Sequence, residues 1–175
     1  MDLIQGFKKR DLSLFNENVF DMLDKEWMLV TAGVENDFNT MTASWGGFGV
    51  LWNKPVAIAF VRPQRHTHKF TETFDAFTLS FFGHGNFREA LSFCGSKSGR
   101  DFDKPKETGL TPITTPIGAI AFQQARLIFE CKKLYADDIK SDCFIDLSID
   151  SKVYAAKDHH RFYIAEIFGC YEKLS

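Results

Sequence analysis

Two arginines flank a proline turn in the hexapeptide Arg62-Pro63-Gln64-Arg65-His66-Thr67. The turn follows an apolar run, and Thr67 is placed to cap a helix that continues to Phe74. A helix N-terminus presents unpaired N–H groups and the positive end of the helix dipole, and an arginine adds a bidentate contact, so this arrangement suits a phosphate. A solvated turn with a capping threonine would have the same sequence. The hexapeptide alone does not separate these two interpretations.

A predicted strand rich in small polar residues lies upstream of this turn. One further strand separates the two. It contains Asn39, Met41, Thr42, Ala43, Ser44 and Trp45, and it leads into Gly46, Gly47 and Gly49. Hydroxyl groups and backbone amides on such a strand can hold the edge of a planar heteroaromatic ring, as they do for flavins. The glycines indicate a bulge or a place where a ligand approaches the backbone closely. A strand with a polar outer face is the alternative interpretation.

A polar loop later in the chain offers more small and cationic residues, namely Ser98, Gly99, Arg100 and Lys104. These residue types suit a loop that closes over phosphate or ribityl oxygens, although charged surface loops are common. Cys94 precedes this loop and is interpreted as a packed thiol on a short helix.

Two adjacent histidines lie near the C-terminus in Asp158-His159-His160-Arg161. Neighbouring side chains on an extended chain point to opposite sides, so the two rings should not face one ligand. The remaining histidines and the four cysteines have no metal-ligand spacing, and we expect no metal site.

Several common catalytic and nucleotide-binding motifs are missing from the sequence. There is no GxGxxG for a Rossmann dinucleotide site and no GxxxxGK[ST] for a P-loop. There is no GxSxG nucleophile elbow of an α/β-hydrolase. Any cofactor site must therefore be built in another way.

The elements that must position these residues are mostly strands. We predict strands over Trp27–Val34, Met41–Trp45, Val56–Val61, Phe77–Phe82, Ile120–Leu134, Phe144–Ile149 and Phe162–Tyr171, and short helices over Asn16–Asp24, Thr67–Phe74 and Asn86–Cys94. About seven strands with short helices between them predict a mainly β, closed or partly closed barrel. The long helices that a doubly wound sheet needs are missing.

Length, charge and composition agree with a small globular protein. The chain has 175 residues, a net charge of -2 and a pI near 6.2, so we expect no nucleic-acid partner and no attraction to an anionic membrane. No segment is apolar over a membrane-spanning length and no export signal is evident, which predicts a cytoplasmic location. Phenylalanine occurs 19 times, which indicates a Phe-packed core with some rings left for a ligand or a partner subunit.

Taken together, three segments resemble the flavin reductase-like family, the FMN-binding split barrels that include flavoredoxin and the reductase components of two-component monooxygenases. The segments are NTMTASWGGFGVLWNKPVAIAFVRPQRHT, SGRDFDK and DHHRFYIAEI, and the similarity runs from about Trp27 to the C-terminus. The resemblance implies a single domain over residues 1–175, an FMN-binding split β-barrel with short helical insertions, in which residues 1–25 form an N-terminal helical extension. It also implies a homodimer with flavin sites near the subunit interface, and a monooxygenase or another redox protein as partner.

The resemblance assigns roles to individual residues. The ring and ribityl chain of FMN would lie along Asn39 and Met41–Trp45, with Gly47 and Gly49 allowing close approach. Four residues would hold the phosphate at the helix start, namely Arg62, Gln64, Arg65 and Thr67. Ser98, Gly99, Arg100 and Lys104 would close the phosphate side. His160 falls where family members have a histidine near the ring or the nicotinamide, whereas Ala165 stands where the family has a glycine.

The implied activity is an NAD(P)H-dependent flavin reductase or oxidoreductase, in which NADH or NADPH passes a hydride to the flavin. The protein would orient the reactants and tune the flavin, and no general acid or base is assigned. A flavoredoxin-like electron carrier, which binds FMN without NAD(P)H turnover, needs the same pocket. A barrel that binds another aromatic ligand, such as pyridoxal phosphate or heme, is the third hypothesis.

Overall fold

The computed structural model describes residues 4–174, and strands dominate its regular structure. The strands are β1 (Phe7–Lys9), β2 (Met28–Val34), β3 (Asp37–Ala43), β4 (Gly46–Leu51), β5 (Lys54–Val61), β6 (Ala76–Phe81), β7 (Pro112–Thr114), β8 (Ile120–Phe122), β9 (Leu127–Asp138) and β10 (Arg161–Lys173). The helices are α1 (Val19–Asp21), α2 (His66–Thr73), α3 (Arg88–Ser96), α4 (Lys104–Thr108) and α5 (Leu147–Val153). The prediction of a mainly β fold with short helical insertions is confirmed.

Eight of the strands form one antiparallel sheet. Its order is β3-β2-β6-β9-β10-β5-β4, with β1 paired to β10, while β7 and β8 form a separate hairpin. Strands β3 and β4 lie at opposite edges of this order, yet only Ser44 and Trp45 connect them along the chain. The sheet must therefore curve until its two edges come together at that end. Since β3 and β4 do not pair with each other within residues 4–174, the result is a barrel that is split there.

The sheet buries side chains on both of its faces. Along β2, Met28 and Val30 belong to one apolar cluster, whereas Leu29 between them belongs to another. The first cluster contains Phe77 and Phe129, and the second joins β2 to α3 through Leu91. Because side chains alternate between faces, the inner cluster fills the barrel and the outer one lies under the helices.

The helix predicted over Thr67–Phe74 begins one residue earlier, at His66, and Arg65 occupies its N-cap position. The prediction of Thr67 as the capping residue is therefore wrong. Thr67 is fully buried, and its hydroxyl accepts a hydrogen bond from the Asn39 side chain at 2.8 Å. A tertiary partner has taken the oxygen that would otherwise cap the helix.

The helix predicted from Asn86 also begins later, at Arg88. Phe87 precedes it in the left-handed region, with φ 54°, and this residue turns the chain into the helix without a side-chain cap. Phe87, and not the predicted first residue Asn86, therefore precedes the helix directly.

The strand predicted over Phe144–Ile149 is wrong. A 3₁₀ turn covers Ser141–Cys143, and α5 begins at Leu147. The Asp146 carboxylate caps α5 by accepting a hydrogen bond from the Ser148 amide at 3.0 Å. The apolar side chains that suggested a strand are largely exposed, and Ile145 is 100% exposed.

Two other predicted strands have different limits. The run Ile120–Leu134 is divided into β8 and β9 by a turn, in which the Ala125 amide donates to the Phe122 carbonyl at 3.0 Å. The strand predicted over Met41–Trp45 begins earlier and ends at Ala43, because the chain leaves the sheet at Ser44.

The N-terminal extension is only partly helical. Residues 1–3 lie outside the described residues, and β1 then pairs with the end of β10, Phe7 opposite Lys173. A 3₁₀ turn follows at Leu12–Leu14, and α1 runs directly into a π-helical turn at Met22–Glu26. No helix in the described part of the chain is long and apolar enough to cross a membrane.

Candidate functional site

A cleft of about 220 Å³ opens where the end of β3 meets the end of β5 and the start of β10. We call it the central cleft. It is lined by Met41, Thr42, Ala43, Ser44, Trp45, Phe60, Arg62, Arg65 and His160. Eight of these nine residues were predicted from the sequence as site residues. The structure therefore brings the polar strand, the arginine turn and the C-terminal histidine together.

Two neighbouring spaces share lining residues with the central cleft. One, of about 700 Å³, extends past Trp45 and Phe60 to the N-terminal helical turns at Phe20 and Leu23. The other, of about 370 Å³, extends along Thr42–Ser44 to α3. Ligand pockets usually measure roughly 300–1,000 Å³, so a ligand of nucleotide size would extend from the central cleft into an adjoining space.

The break in the sheet leaves free backbone groups at the cleft. Ser44 and Trp45 pair with no strand in the described part of the chain. Their amide and carbonyl groups are therefore available to a ligand that lies against this segment. Close to them, Trp45 is 49% exposed, and its ring centroid lies 5.0 Å from that of His160.

His160 is the most enclosed polar group of the cleft, at 8% exposed. Its Nδ1 lies 2.8 Å from the hydroxyl oxygen of Tyr154, which is itself buried. Burial, with a smaller contribution from the Arg62 charge, lowers the pKa of His160 to about 4. The imidazole is therefore neutral near pH 7.

Arg62 lines the cleft, but its charge is already balanced. Its guanidinium is bound to the Asp158 carboxylate and lies 5.3 Å from the centre of the Tyr154 ring. Gln64 donates to the same carboxylate at 2.7 Å and lies outside the central cleft. The Arg62 and Gln64 hydrogen bonds together lower the pKa of Asp158.

Arg65 and Lys104, in contrast, are partly or wholly buried cations without an acidic partner. Arg65 donates to the carbonyls of Cys94 and Gly95, and Lys104 donates to those of Cys94, at 3.0 Å, and Thr40, at 2.7 Å. Neither side chain forms an ion pair with a carboxylate of residues 4–174. Both cations therefore lie against the last turn of α3, where the helix dipole favours positive charge.

Burial opposes the charge on both cations, and the C-terminal end of α3 offsets only part of that cost. Burial lowers the pKa of Arg65, and burial together with the nearby Arg65 charge lowers the pKa of Lys104 to about 8. Carbonyl groups supply hydrogen bonds but no negative charge. Arg65 lines the central cleft and uses only part of its guanidinium on carbonyls, so its remaining N–H groups suit an anion there, with Lys104 behind it.

Asn39, Thr67 and Gly99 lie behind the site and join its parts. Asn39 is buried and donates to Thr67, as described above, while the Gly99 backbone packs directly against the Asn39 side chain. A Cβ atom at Gly99 would lie 1.9 Å from Asn39 Oδ1. These residues and Lys104 do not line the central cleft; Asn39, Gly99 and Lys104 line a separate cleft of about 700 Å³.

The other predicted residues have varied positions. Ser98 and Arg100 lie in the turn before α4, where Ser98 Oγ accepts from the Arg100 amide at 3.2 Å, and the Arg100 side chain is exposed. Gly47 and Gly49 lie on β4, where an added Cβ would meet no atom within 4 Å. Gly46 is the crowded position, because its Cβ would lie 2.8 Å from the Ile58 carbonyl oxygen.

Three contributors to the site were missed from the sequence, namely Phe60, Tyr154 and Asp158. Phe60 belongs to the apolar run of β5, and nothing in that run distinguishes it from its neighbours. Tyr154 follows α5, in a segment where a strand was predicted nearby. The pairing of Asp158 with Arg62 joins residues 96 positions apart, and no local pattern predicts it.

His159 points away from the cleft, as the alternation along an extended chain predicts. Its Nε2 lies 2.5 Å from Asp150 Oδ1, and its ring stacks on Tyr154 with centroids 4.5 Å apart. Within residues 4–174, no group of three or more His, Cys, Asp and Glu side chains could hold a metal ion.

Comparisons with known proteins place these observations in a family. A family model described as flavin reductase like domain matches residues 23–174. No curated protein matches the chain significantly.

Three solved structures illustrate the similarity of fold. An FMN-binding domain of a flavin reductase-like enzyme from Shewanella baltica has a TM-score of 0.68 and 15% identity, over 99% of this chain and 79% of that one. Flavoredoxin from Methanosarcina acetivorans has a TM-score of 0.65 and 19% identity, over 85% and 69% of the two chains. An NADH:FAD oxidoreductase from Streptomyces globisporus has a TM-score of 0.62 and 17% identity, over 85% and 74%.

Proposed function

Because this chain belongs to the flavin reductase-like domain family, we propose that it binds FMN through the central cleft and acts as an NAD(P)H-dependent flavin reductase or oxidoreductase. One observation carries the proposal. Arg65 and Lys104 are cations without an acidic partner among residues 4–174, and Arg65 also lines a cleft walled by aromatic rings and unpaired backbone groups. A ligand that is planar at one end and anionic at the other matches this distribution.

At the ring end, the residues of the chain would orient the flavin and exclude water from one side. The free amide and carbonyl groups of Ser44 and Trp45 would form hydrogen bonds with polar atoms at the ring edge, and Trp45 and Phe60 would flank it. When bound, FMN supplies the redox chemistry, with NADH or NADPH as the reductant.

At the anionic end, Arg65 would contact the phosphate with its remaining guanidinium N–H groups, and Lys104 would add positive charge from behind. Ser98, Gly99 and Arg100 would close this side, since the Gly99 loop packs on Asn39 and Arg100 is exposed beside it. Arg62 would act mainly as a wall, because Asp158 already neutralises it.

A flavoredoxin-like electron carrier is the second candidate. Solved structures of flavoredoxins from Methanosarcina acetivorans and from Desulfovibrio vulgaris resemble this fold as well as the NADH:FAD oxidoreductase does. Such a carrier would use the same FMN site and exchange electrons with a redox protein, without NAD(P)H turnover.

We also propose a homodimer, on family grounds and on the exposed apolar side chains. In the β4 region, Val50 is 78% exposed and Trp52, just after the strand, is 53% exposed. Near α5, Ile145 is 100% exposed and Leu147 is 72% exposed. Burial of such residues against a second copy would stabilise the assembly. Light scattering coupled to size exclusion should give about twice the 20.0 kDa chain mass, and a monomeric mass would contradict the proposal.

Two measurements on the purified protein test the proposed function. Flavin absorption bands, or quenching of FMN fluorescence on titration, would support the cofactor. Steady-state oxidation of NADH and NADPH with FMN or FAD as acceptor would support the enzyme. Flavin binding without oxidation of NADH or NADPH would exclude the enzyme and support the electron carrier. The absence of flavin binding would overturn both proposed functions.

A further inference from the structure

Tyr154 contacts His160 but does not itself line the central cleft. It follows α5 and is 2% exposed, with its hydroxyl oxygen 2.8 Å from His160 Nδ1. His160 lines the cleft with its ring, and its Nε2 has no hydrogen-bond partner among residues 4–174. The contact therefore joins a buried hydroxyl to an imidazole of the cleft. Either nitrogen of that imidazole can be the donor, depending on the tautomer.

Counting donors and acceptors gives the direction of this hydrogen bond. Among residues 4–174, the hydrogen-bond partner of the Tyr154 hydroxyl is His160 Nδ1, at 2.8 Å. The Tyr154 hydroxyl hydrogen needs an acceptor, and Nδ1 is the acceptor within reach among the described residues. Burying an O–H without an acceptor is costly, so the hydroxyl donates to Nδ1.

The consequence is a fixed tautomer. Nδ1 uses its lone pair to accept from Tyr154, so a neutral imidazole must carry its hydrogen on Nε2. Burial keeps the ring neutral near pH 7, because it lowers the pKa of His160 to about 4. Since His160 lines the cleft and its Nδ1 is bound to Tyr154, Nε2–H is the donor that the ring can offer a ligand there.

The surroundings of Tyr154 hold the phenol in place. The His159 ring stacks on it at 4.5 Å with an angle of 23°, and the Arg62 guanidinium lies 5.3 Å from its centre. His159 is bound in turn to Asp150, and Arg62 to Asp158. A partner restrained from several sides fixes ring orientation better than water would.

We propose that Tyr154 is a positioning residue, which holds His160 as an Nε2–H donor toward a carbonyl oxygen of a planar heteroaromatic ligand in the central cleft. This inference rests on the proposed function, since it assumes that such a ligand occupies the cleft. The carbonyl could belong to the flavin ring or to the nicotinamide carboxamide. Both offer the same acceptor chemistry, and the binding measurements below separate them.

The first experiment needs no cofactor. Protein labelled with ¹⁵N in histidine is examined at pH 7 by long-range ¹H–¹⁵N correlation, with His160→Asn to assign the signals. Wild-type His160 should be the Nε2–H tautomer, and Tyr154→Phe should convert it to a mixture of both tautomers. A wild-type Nδ1–H tautomer, or a Tyr154→Phe spectrum identical to wild type, would overturn the inference even if the protein binds flavin well.

The second experiment measures ligand affinity in the same variant. Loss of the fixed donor should raise either the Kd for FMN or the KM for the nicotinamide donor by about threefold to tenfold, the scale of one hydrogen bond. A raised Kd assigns the carbonyl to the flavin, and a raised KM at unchanged Kd assigns it to the nicotinamide. If neither the Kd nor the KM changes while FMN still binds, Nε2–H donates to neither ligand and the proposal is wrong.

Tyr135→Phe is the matched control. Tyr135 is 45% exposed, and its hydroxyl donates to Asp137 at 3.2 Å. Removal of that hydroxyl should leave the His160 tautomer, the FMN Kd and the nicotinamide KM unchanged. If Tyr154→Phe does not fold, the wild-type tautomer still decides the inference.

Discussion

The side-chain amide of Asn39 donates a hydrogen bond to the hydroxyl of Thr67 at 2.8 Å, with both residues buried. This bond ties the middle of β3 to the first turn of α2. The two segments supply opposite ends of the candidate site, the polar strand and the arginine turn. This buried polar contact therefore adds to the apolar packing of Phe70 in fixing their relative position.

Replacement of either partner should destabilise the protein. Asn39→Ala leaves the Thr67 hydroxyl without its donor, and a buried unsatisfied group costs about 1–3 kcal/mol. A double-mutant cycle with Thr67→Val, measured by urea unfolding, should give a coupling energy of about 0.5–1.5 kcal/mol. Additive effects of the two changes would show that the bond does not couple the strand to the helix.

Gly99→Ala should disturb the loop before α4. The added methyl would lie 1.9 Å from Asn39 Oδ1, so either the loop or the Asn39 side chain must move. Overpacking of this kind costs about 1–3 kcal/mol, and we expect a lower unfolding midpoint together with weaker FMN binding.

Gly49→Ala is the control for that change. A Cβ at Gly49 meets no atom within 4 Å, and its φ is not in the left-handed region. Its unfolding midpoint should equal or slightly exceed that of wild type, because alanine restricts the unfolded chain. Equal effects of the two substitutions would contradict the crowding at Gly99.

Arg65→Ala should weaken FMN binding by about 1.5–3 kcal/mol, the scale of a charge-assisted hydrogen bond. Fluorescence titration with FMN and with riboflavin gives the test, because riboflavin lacks the phosphate. The variant should lose affinity for FMN and keep most of its affinity for riboflavin. Arg161→Ala is the control, since Arg161 pairs with Glu72 and Asp138 away from the cleft.

Lys104 should make FMN affinity depend on pH. Burial lowers its pKa to about 8, so the free protein loses this charge as the pH rises through that value. An anion stabilises the charged form, and FMN affinity should therefore fall above about pH 8. Lys104→Met should bind FMN less tightly at pH 7, and its affinity should vary less between pH 7 and 9.5.

The same group affects the stability of the free protein. Its pKa is lower in the folded chain than in the unfolded one, so between about pH 8 and pH 10.5 the unfolded state binds more protons. The Lys104 contribution to the free energy of unfolding should therefore rise with pH over this window. Urea unfolding of wild type and of Lys104→Met, each at about pH 8 and pH 10.5, measures this contribution. The free energy of unfolding of wild type minus that of the variant should rise with pH, and a fall would contradict the assignment.

Much of the site could be predicted because its residues lie in strong local patterns. Trp45 follows a strand with polar side chains, and Arg65 follows a proline turn after an apolar strand. An antiparallel sheet then brings β5 and β10 side by side, with Val61 opposite Arg161, which carries His160 to the end of β5. Alternation and turn signals contain this information.

The remaining parts depend on contacts between distant segments. The Thr67 hydroxyl could cap its own helix or bind Asn39, and only the tertiary structure decides between them. Phe144–Ile149 has an apolar pattern typical of a strand, yet Asp146 caps a helix and the apolar side chains stay exposed. Tyr154 carries no motif, and its importance follows only from where the folded chain places its hydroxyl.

The split in the barrel also has a consequence for hydrogen exchange. Within residues 4–174, β4 pairs with β5 alone, and glycines occupy three of its six positions. Half of its backbone groups therefore lack ladder partners, and a glycine-rich edge strand opens at small free-energy cost. In a protomer whose β4 is not covered by a second copy, amide protons of β4 should exchange orders of magnitude faster than those of β9 and β10 in the middle of the sheet. Opening of this strand next to Trp45 would give large planar molecules a route to the cleft without any dedicated lid.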